Sequence, residues 1–143
     1  MGASLESTQK PFGVFAGVSL NRDFAKNYHT FIDSIEKQIA SKNSPVNTAS
    51  VQAILDHEIG HQLDGLLNIG ALPEIQALYN TRTTQQLTDE LSRYAWSNDN
   101  PDRYSEMIAE AWTEYNNNPC PRQIAKTIGE TIIKQYEQKF RKP

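Results

Sequence analysis

Apolar residues recur along most of this chain at intervals of three and four, which predicts helices, while one stretch near the N-terminus suits a strand. From Asp23 to Ser41 the set Phe24, Tyr28, Phe31, Ile32, Ile35 and Ile39 falls on one face of an amphipathic helix, with His29 beside it. The window Ser50 to Asp64 reads as a second helix. Ser50 is its N-cap, Val51, Ile54, Leu55, Ile59 and Leu63 are its core-facing set, and Gly65 is its stop. Pro73 and Glu74 open a further helical stretch carrying Ile75, Leu78, Leu87 and Leu91, with a break near Thr81 to Thr84. Tyr94 to Asn100 is an irregular loop, and Pro101 starts a helix that runs to about Asn116. Pro119 and Pro121 mark a turn before a final amphipathic helix from Arg122 to Phe140.

The strand candidate is Phe12 to Leu20, where Phe12, Val14, Phe15, Val18 and Leu20 are interrupted by Gly13 and Gly17. Residues 1–10 are polar and read as a flexible N-terminus, so residues 11–143 make up a single domain. The expected class is α+β, mostly helical with a small β-sheet.

At 143 residues the chain is large enough for one core and too short for two. A net charge of -3, with no basic stripe beyond Lys139, Arg141 and Lys142, gives no reason to expect nucleic acid as a partner. No apolar run approaches membrane-spanning length, and the polar residues Met1 to Lys10 show no signal peptide. Cys120 is the single cysteine, which excludes an internal disulfide and fits a reducing compartment or a disulfide-free secreted fragment. The small size suits a domain cut from a longer chain.

The chemistry concentrates in the second helix. It reads His57-Glu58-Ile59-Gly60-His61, and residues four apart lie on one helix face. Two imidazoles can therefore reach one metal ion, while Glu58, one step round, can reach a water beside it without being a ligand. Two histidines and an intervening glutamate in this order make the H-E-x-x-H pattern of zinc peptidases. A catalytic zinc takes a third protein ligand and keeps one position open. His29 is a poor candidate, so a carboxylate is needed. Glu106 and Glu110, again four apart, sit among Met107, Ile108, Ala109 and Ala111, which places two acids on a partly apolar helix. Burying both without a cation is costly. Zinc suits imidazole better than calcium or magnesium does, although two histidines and a carboxylate also make the facial triad of non-haem iron enzymes.

Three segments in order carry a family resemblance. They are His57-Glu58-x-x-His61-x-x-Asp64, Ser92-x-Tyr94-Ala95-x-Ser97-Asn98, and Glu106-x-x-Ala109-Glu110-Ala111-Trp112. Together they resemble the zincin metallopeptidase domain of the anthrax lethal factor type, and equally the related domains of phage minor head and mobile-element proteins. The resemblance spans roughly Phe12 to Ile133. It implies a zincin-like fold around the active-site helix 50–64, and one zinc per chain held by His57, His61 and Glu106. It also implies that Tyr94 steadies the developing oxyanion. The interval from Tyr94 to Glu106 is longer here than in the toxin, so Tyr104 is the alternative for that role. Asp64 and Glu110 match positions suited to holding the zinc-bound histidines by their distal N–H groups.

The resemblance therefore implies zinc-dependent hydrolysis of peptide bonds in a protein or peptide substrate, with Glu58 as general base. The setting it implies is a bacterial cytoplasm or a phage particle, with secretion left open, as part of a larger phage or toxin-like polypeptide. The competing reading is a non-catalytic module for assembly or binding, or one limited to a single processing event, in which zinc serves stability.

Overall fold

The computed structural model describes residues 2–5, 17–20, 27–96 and 103–141. Within them lie helices α1 (Tyr28–Ala40), α2 (Val51–Leu67), α3 (Pro73–Asn80), α4 (Thr84–Glu90), α5 (Arg103–Asn117) and α6 (Gln123–Phe140), with a 3-10 turn at Ile69–Ala71. None of them is long and apolar enough to cross a membrane.

The expected α+β class is overturned, because the fold is helical and no β-sheet forms a layer of it. Among the described residues, β-strand is confined to two four-residue stretches, β1 (Gly2–Leu5) and β2 (Gly17–Leu20), paired antiparallel as a ribbon beside α2. An isolated pair of four-residue strands is a ribbon, shorter and narrower than the sheets that form a layer of a domain. The rest of the expected strand, residues 12–16, lies outside the described residues, as do residues 23–26 of the first helix and 97–100 of the loop.

Helix α2 begins where the sequence predicts, with Ser50 Oγ accepting the Ala53 N–H at 3.0 Å. It runs on through Gly65 and stops at Asn68, which adopts left-handed dihedrals (φ 53°, ψ 43°). Asparagine tolerates that conformation, and it supplies the stop expected of Gly65. The predicted break near Thr81 to Thr84 separates α3 from α4. There Thr83 and Gln86 form a capping box, Gln86 N–H donating to Thr83 Oγ1 at 3.2 Å and Thr83 N–H to Gln86 Oε1 at 2.8 Å.

The core lies between α5, α6 and the segment from Leu67 to Leu91, filled by Ile69, Ile75, Leu87, Leu91, Met107, Ile108, Ile128 and Ile132. It is locked at one corner by Glu114, which is fully buried and accepts Arg122 Nε at 3.0 Å and the Arg122 backbone N–H at 2.9 Å. The same guanidinium, itself partly exposed, donates to the carbonyls of Asp89 and Leu91, joining α4, α5 and the start of α6 through one charge pair whose carboxylate is buried.

The face that α2 turns inward differs from the one expected. Ala53, Asp56, Gly60 and Leu67 are its buried residues, Leu63 packs on the core, and Ile59 is 37% exposed. The reason is a close helix crossing. A Cβ on Gly60 would stand 2.7 Å from the Ala109 Cα, so the α2 and α5 backbones touch there and the small residues must face in. Gly65, by contrast, has open space where its Cβ would project. Gly60→Ala should therefore lose about 1–3 kcal/mol of stability to overpacking, against a gain of about 1 kcal/mol in helix propensity. Gly65→Ala should gain about 0.5–1 kcal/mol. Denaturant unfolding of the two variants checks the opposite signs.

Candidate metal centre

Helices α2 and α5 run antiparallel, and their contact can be followed residue by residue. At one end Asn117 Nδ2 donates to Asp56 Oδ2 at 2.8 Å. In the middle Gly60 meets Ala109. At the other end His61 Nδ1 and Ser105 Oγ are 2.8 Å apart. Between these contacts the helical spacing of four on each side brings His57 and His61 opposite Glu106 and Glu110.

Three of those side chains converge. His57 Nε2 and His61 Nε2 are 3.2 Å apart, His57 Nε2 lies 3.4 Å from Glu106 Oε2, and His61 Nε2 lies 3.6 Å from Glu106 Oε1. Donor atoms bonded at about 2.0–2.2 Å to one tetrahedral zinc lie about 3.3–3.5 Å from each other. Two imidazole nitrogens and a carboxylate oxygen, all within 4.8 Å of one another, thus have the chemistry and the spacing of a three-ligand zinc site. His29 is exposed on α1 and takes no part.

The acid that remains, Glu110, holds His57. Its Oε1 accepts the His57 Nδ1–H at 2.9 Å, and its Oε2 accepts the Ser92 hydroxyl at 2.6 Å. Such a carboxylate fixes the ring so that Nε2 faces Glu106 and His61. Asp64 does not share the role expected of it. Its carboxylate accepts the Gly70 N–H at 2.7 Å and closes the turn after α2. The distal nitrogen of His61 is held by Ser105, because Asp64 sits past His61 at the end of the helix, where the chain folds back onto it. In the sequence the one signal for Ser105 is its position immediately before Glu106.

Burial and mutual contact shift three of these groups from their ordinary values. Burial alone would push the His57 imidazole down, but its hydrogen bonds to Glu106 and Glu110 outweigh that and raise it from 6.5 to about 10. Burial, and then the charge on His57, keep His61 below its ordinary range. Glu106, which burial alone would raise, is lowered overall by its hydrogen bond to His57 and by the charges of both histidines. The cluster thus attracts positive charge, and a proton on His57 supplies it when no ion does.

A cleft of about 330 Å³ opens beside these residues. Its floor is His57, Glu58, His61, Glu106 and Glu110, and its walls are Phe31 and Ile35 of α1, Pro45, Ala53 and Ile54. Tyr94 stands on its rim, 40% exposed. Among the described residues no hydrogen bond holds the Glu58 carboxylate elsewhere. Tyr104 lies at a different place, with Asn80 Nδ2 donating to its hydroxyl at 3.1 Å and its ring edge-on to Tyr79. The geometry brings His57, Glu58, His61, Tyr94, Glu106 and Glu110 together and leaves Asp64 and Tyr104 outside. No family model, no curated protein and no solved structure matches this chain.

Glu110→Gln should weaken zinc binding by about 10–100-fold, while Asp64→Asn should leave it unchanged, as read by competition with a chromophoric chelator. The proton on His57 sets a second expectation. Its folded value lies above the unfolded one, so its contribution to metal-free stability is complete below about pH 6.5 and disappears as the pH rises through about 10. The melting-temperature advantage of metal-free wild type over His57→Gln should shrink across that window.

Proposed function

We propose that this chain is a zinc-dependent metallopeptidase, with His57, His61 and Glu106 as ligands of one zinc ion. The observation that carries the proposal is the convergence of these three donors at zinc-site separations on the floor of an open cleft. A purely structural zinc has four protein ligands and no access for substrate, whereas here three donors meet beside a cleft with room for a peptide side chain.

When bound, zinc would acidify a water and polarise the carbonyl of the scissile bond. The residues of the chain do the rest. Glu110 and Ser105 hold the two imidazoles in orientation through their distal nitrogens. Glu58, lining the cleft one step round α2 from His57, accepts a proton from the attacking water and returns it to the leaving amine nitrogen. Tyr94 on the rim donates its hydroxyl to the oxyanion that forms as the water adds to the carbonyl. The apolar walls from α1 and α2 shield the reacting groups from bulk water.

The substrate class is a protein or peptide presented in extended form. Membership of a larger phage-borne or toxin-like polypeptide is part of the same proposal, resting on the three sequence segments alone. Glu58→Ala should retain one zinc per chain and lose at least about 100-fold in peptide cleavage, measured on an unfolded protein substrate. Full cleavage by that variant would remove Glu58 as the base. Zinc retention with no cleavage even by the wild type, across varied substrates, would favour a binding module.

A further inference from the structure

We infer that Ser92 is a positioning residue, whose buried hydroxyl couples the orientation of His57 to the placement of Tyr94. Ser92 is fully buried, and its Oγ makes two hydrogen bonds in opposite senses. It donates to Glu110 Oε2 at 2.6 Å and accepts the N–H of Ala95, itself fully buried, at 3.2 Å. A hydroxyl has a single proton to give, and the carboxylate takes it, which leaves a lone pair for the amide. The bond from a side-chain oxygen to the N–H three residues on closes a turn, and Tyr94 lies inside it. The outer anchors of that turn are also defined, since Arg93 N–H donates to the Lys42 carbonyl at 2.7 Å and Tyr94 N–H to the Asn43 carbonyl at 3.3 Å.

The chain of contacts is therefore continuous. His57 donates to Glu110, Glu110 is held by Ser92, and Ser92 closes the turn that presents Tyr94 to the cleft. Any rotation of His57 on taking a cation moves Glu110, and Glu110 can follow only by redirecting the one hydroxyl that also holds Ala95. Removing that hydroxyl takes a hydrogen-bond partner from a buried carboxylate oxygen and from a buried amide at once. Ser92 touches neither ligand atoms nor substrate, so its effect must pass through Glu110 on one side and the turn on the other.

This inference rests on the metal-centre proposal, and the experiment separates their failures. Zinc affinity is measured on the full chain for wild type, Ser92→Ala, Glu110→Gln and the double variant. Ser92→Ala should bind about tenfold more weakly, as loss of an outer-shell partner does. In the Glu110→Gln background the same change should cost less than about twofold, because the path is already cut. A merely structural role for Ser92 gives additive losses, or a lower melting temperature with zinc affinity unchanged, and either result overturns the inference while the metal centre stands. A second readout needs no variant. Zinc loading of the wild type should slow hydrogen exchange at the Ala95 amide by about tenfold, as the turn tightens with the site. Exchange at Ala95 indifferent to zinc overturns the coupling, and decides the matter if Ser92→Ala does not fold. A wild type that binds no zinc overturns the metal centre and this inference together.

Discussion

At Gly60 the motif helix carries no side chain, and the Ala109 backbone of the facing helix occupies the space one would fill, 2.7 Å from where a Cβ would stand. That contact sets the separation of α2 and α5. The imidazoles on one helix and the carboxylates on the other are short levers, so the backbone separation fixed at that contact governs how closely His57 and His61 approach Glu106. The antiparallel crossing also sets which pairs meet, from Asp56 with Asn117 at one end to His61 with Ser105 at the other.

Three glutamates at intervals of four on α5 show how environment divides identical side chains. Glu106 faces the two histidines at ligand distance. Glu110, one turn on, is 5% exposed and spends its oxygens on His57 and Ser92. Glu114, a further turn on, is fully buried against Arg122 and ties three helices at a corner of the core. Each buried charge has its partner, as the cost of an unpaired one requires. The division follows from what lies opposite each residue, since the spacing alone treats all three alike.

Much of this was legible in the chain. The helices at α1, α2, α5 and α6, the break between α3 and α4, and the Ser50 cap follow from local pattern and capping chemistry, which act within a few residues. The mostly helical character was read rightly, but the small β-sheet expected with it amounts, among the described residues, to no more than one ribbon. A short run of apolar and glycine residues shows extended propensity without showing whether there is a sheet to join. The inward face of α2 was misread for a related reason. Ile54 and Ile59 looked like core by hydropathy, yet the helix turns Ala53, Asp56 and Gly60 inward, where only small or bonded residues fit.

What the sequence by itself determined is the pair of histidines on one face with Glu58 between them, and the matching pair of acids on α5. Helical geometry, a property of the backbone alone, sets both. Which acid meets both histidines, which one holds His57, and that His61 rests on Ser105 while Asp64 closes a turn were decided by the tertiary structure. The same holds for Ser92, which lies 18 residues before Glu110 yet shares a hydrogen bond with it. Those assignments depend on how two helices and a loop approach one another, and that approach is set by close packing at Gly60 and Ala109, a contact between residues far apart in the chain that no local pattern encodes.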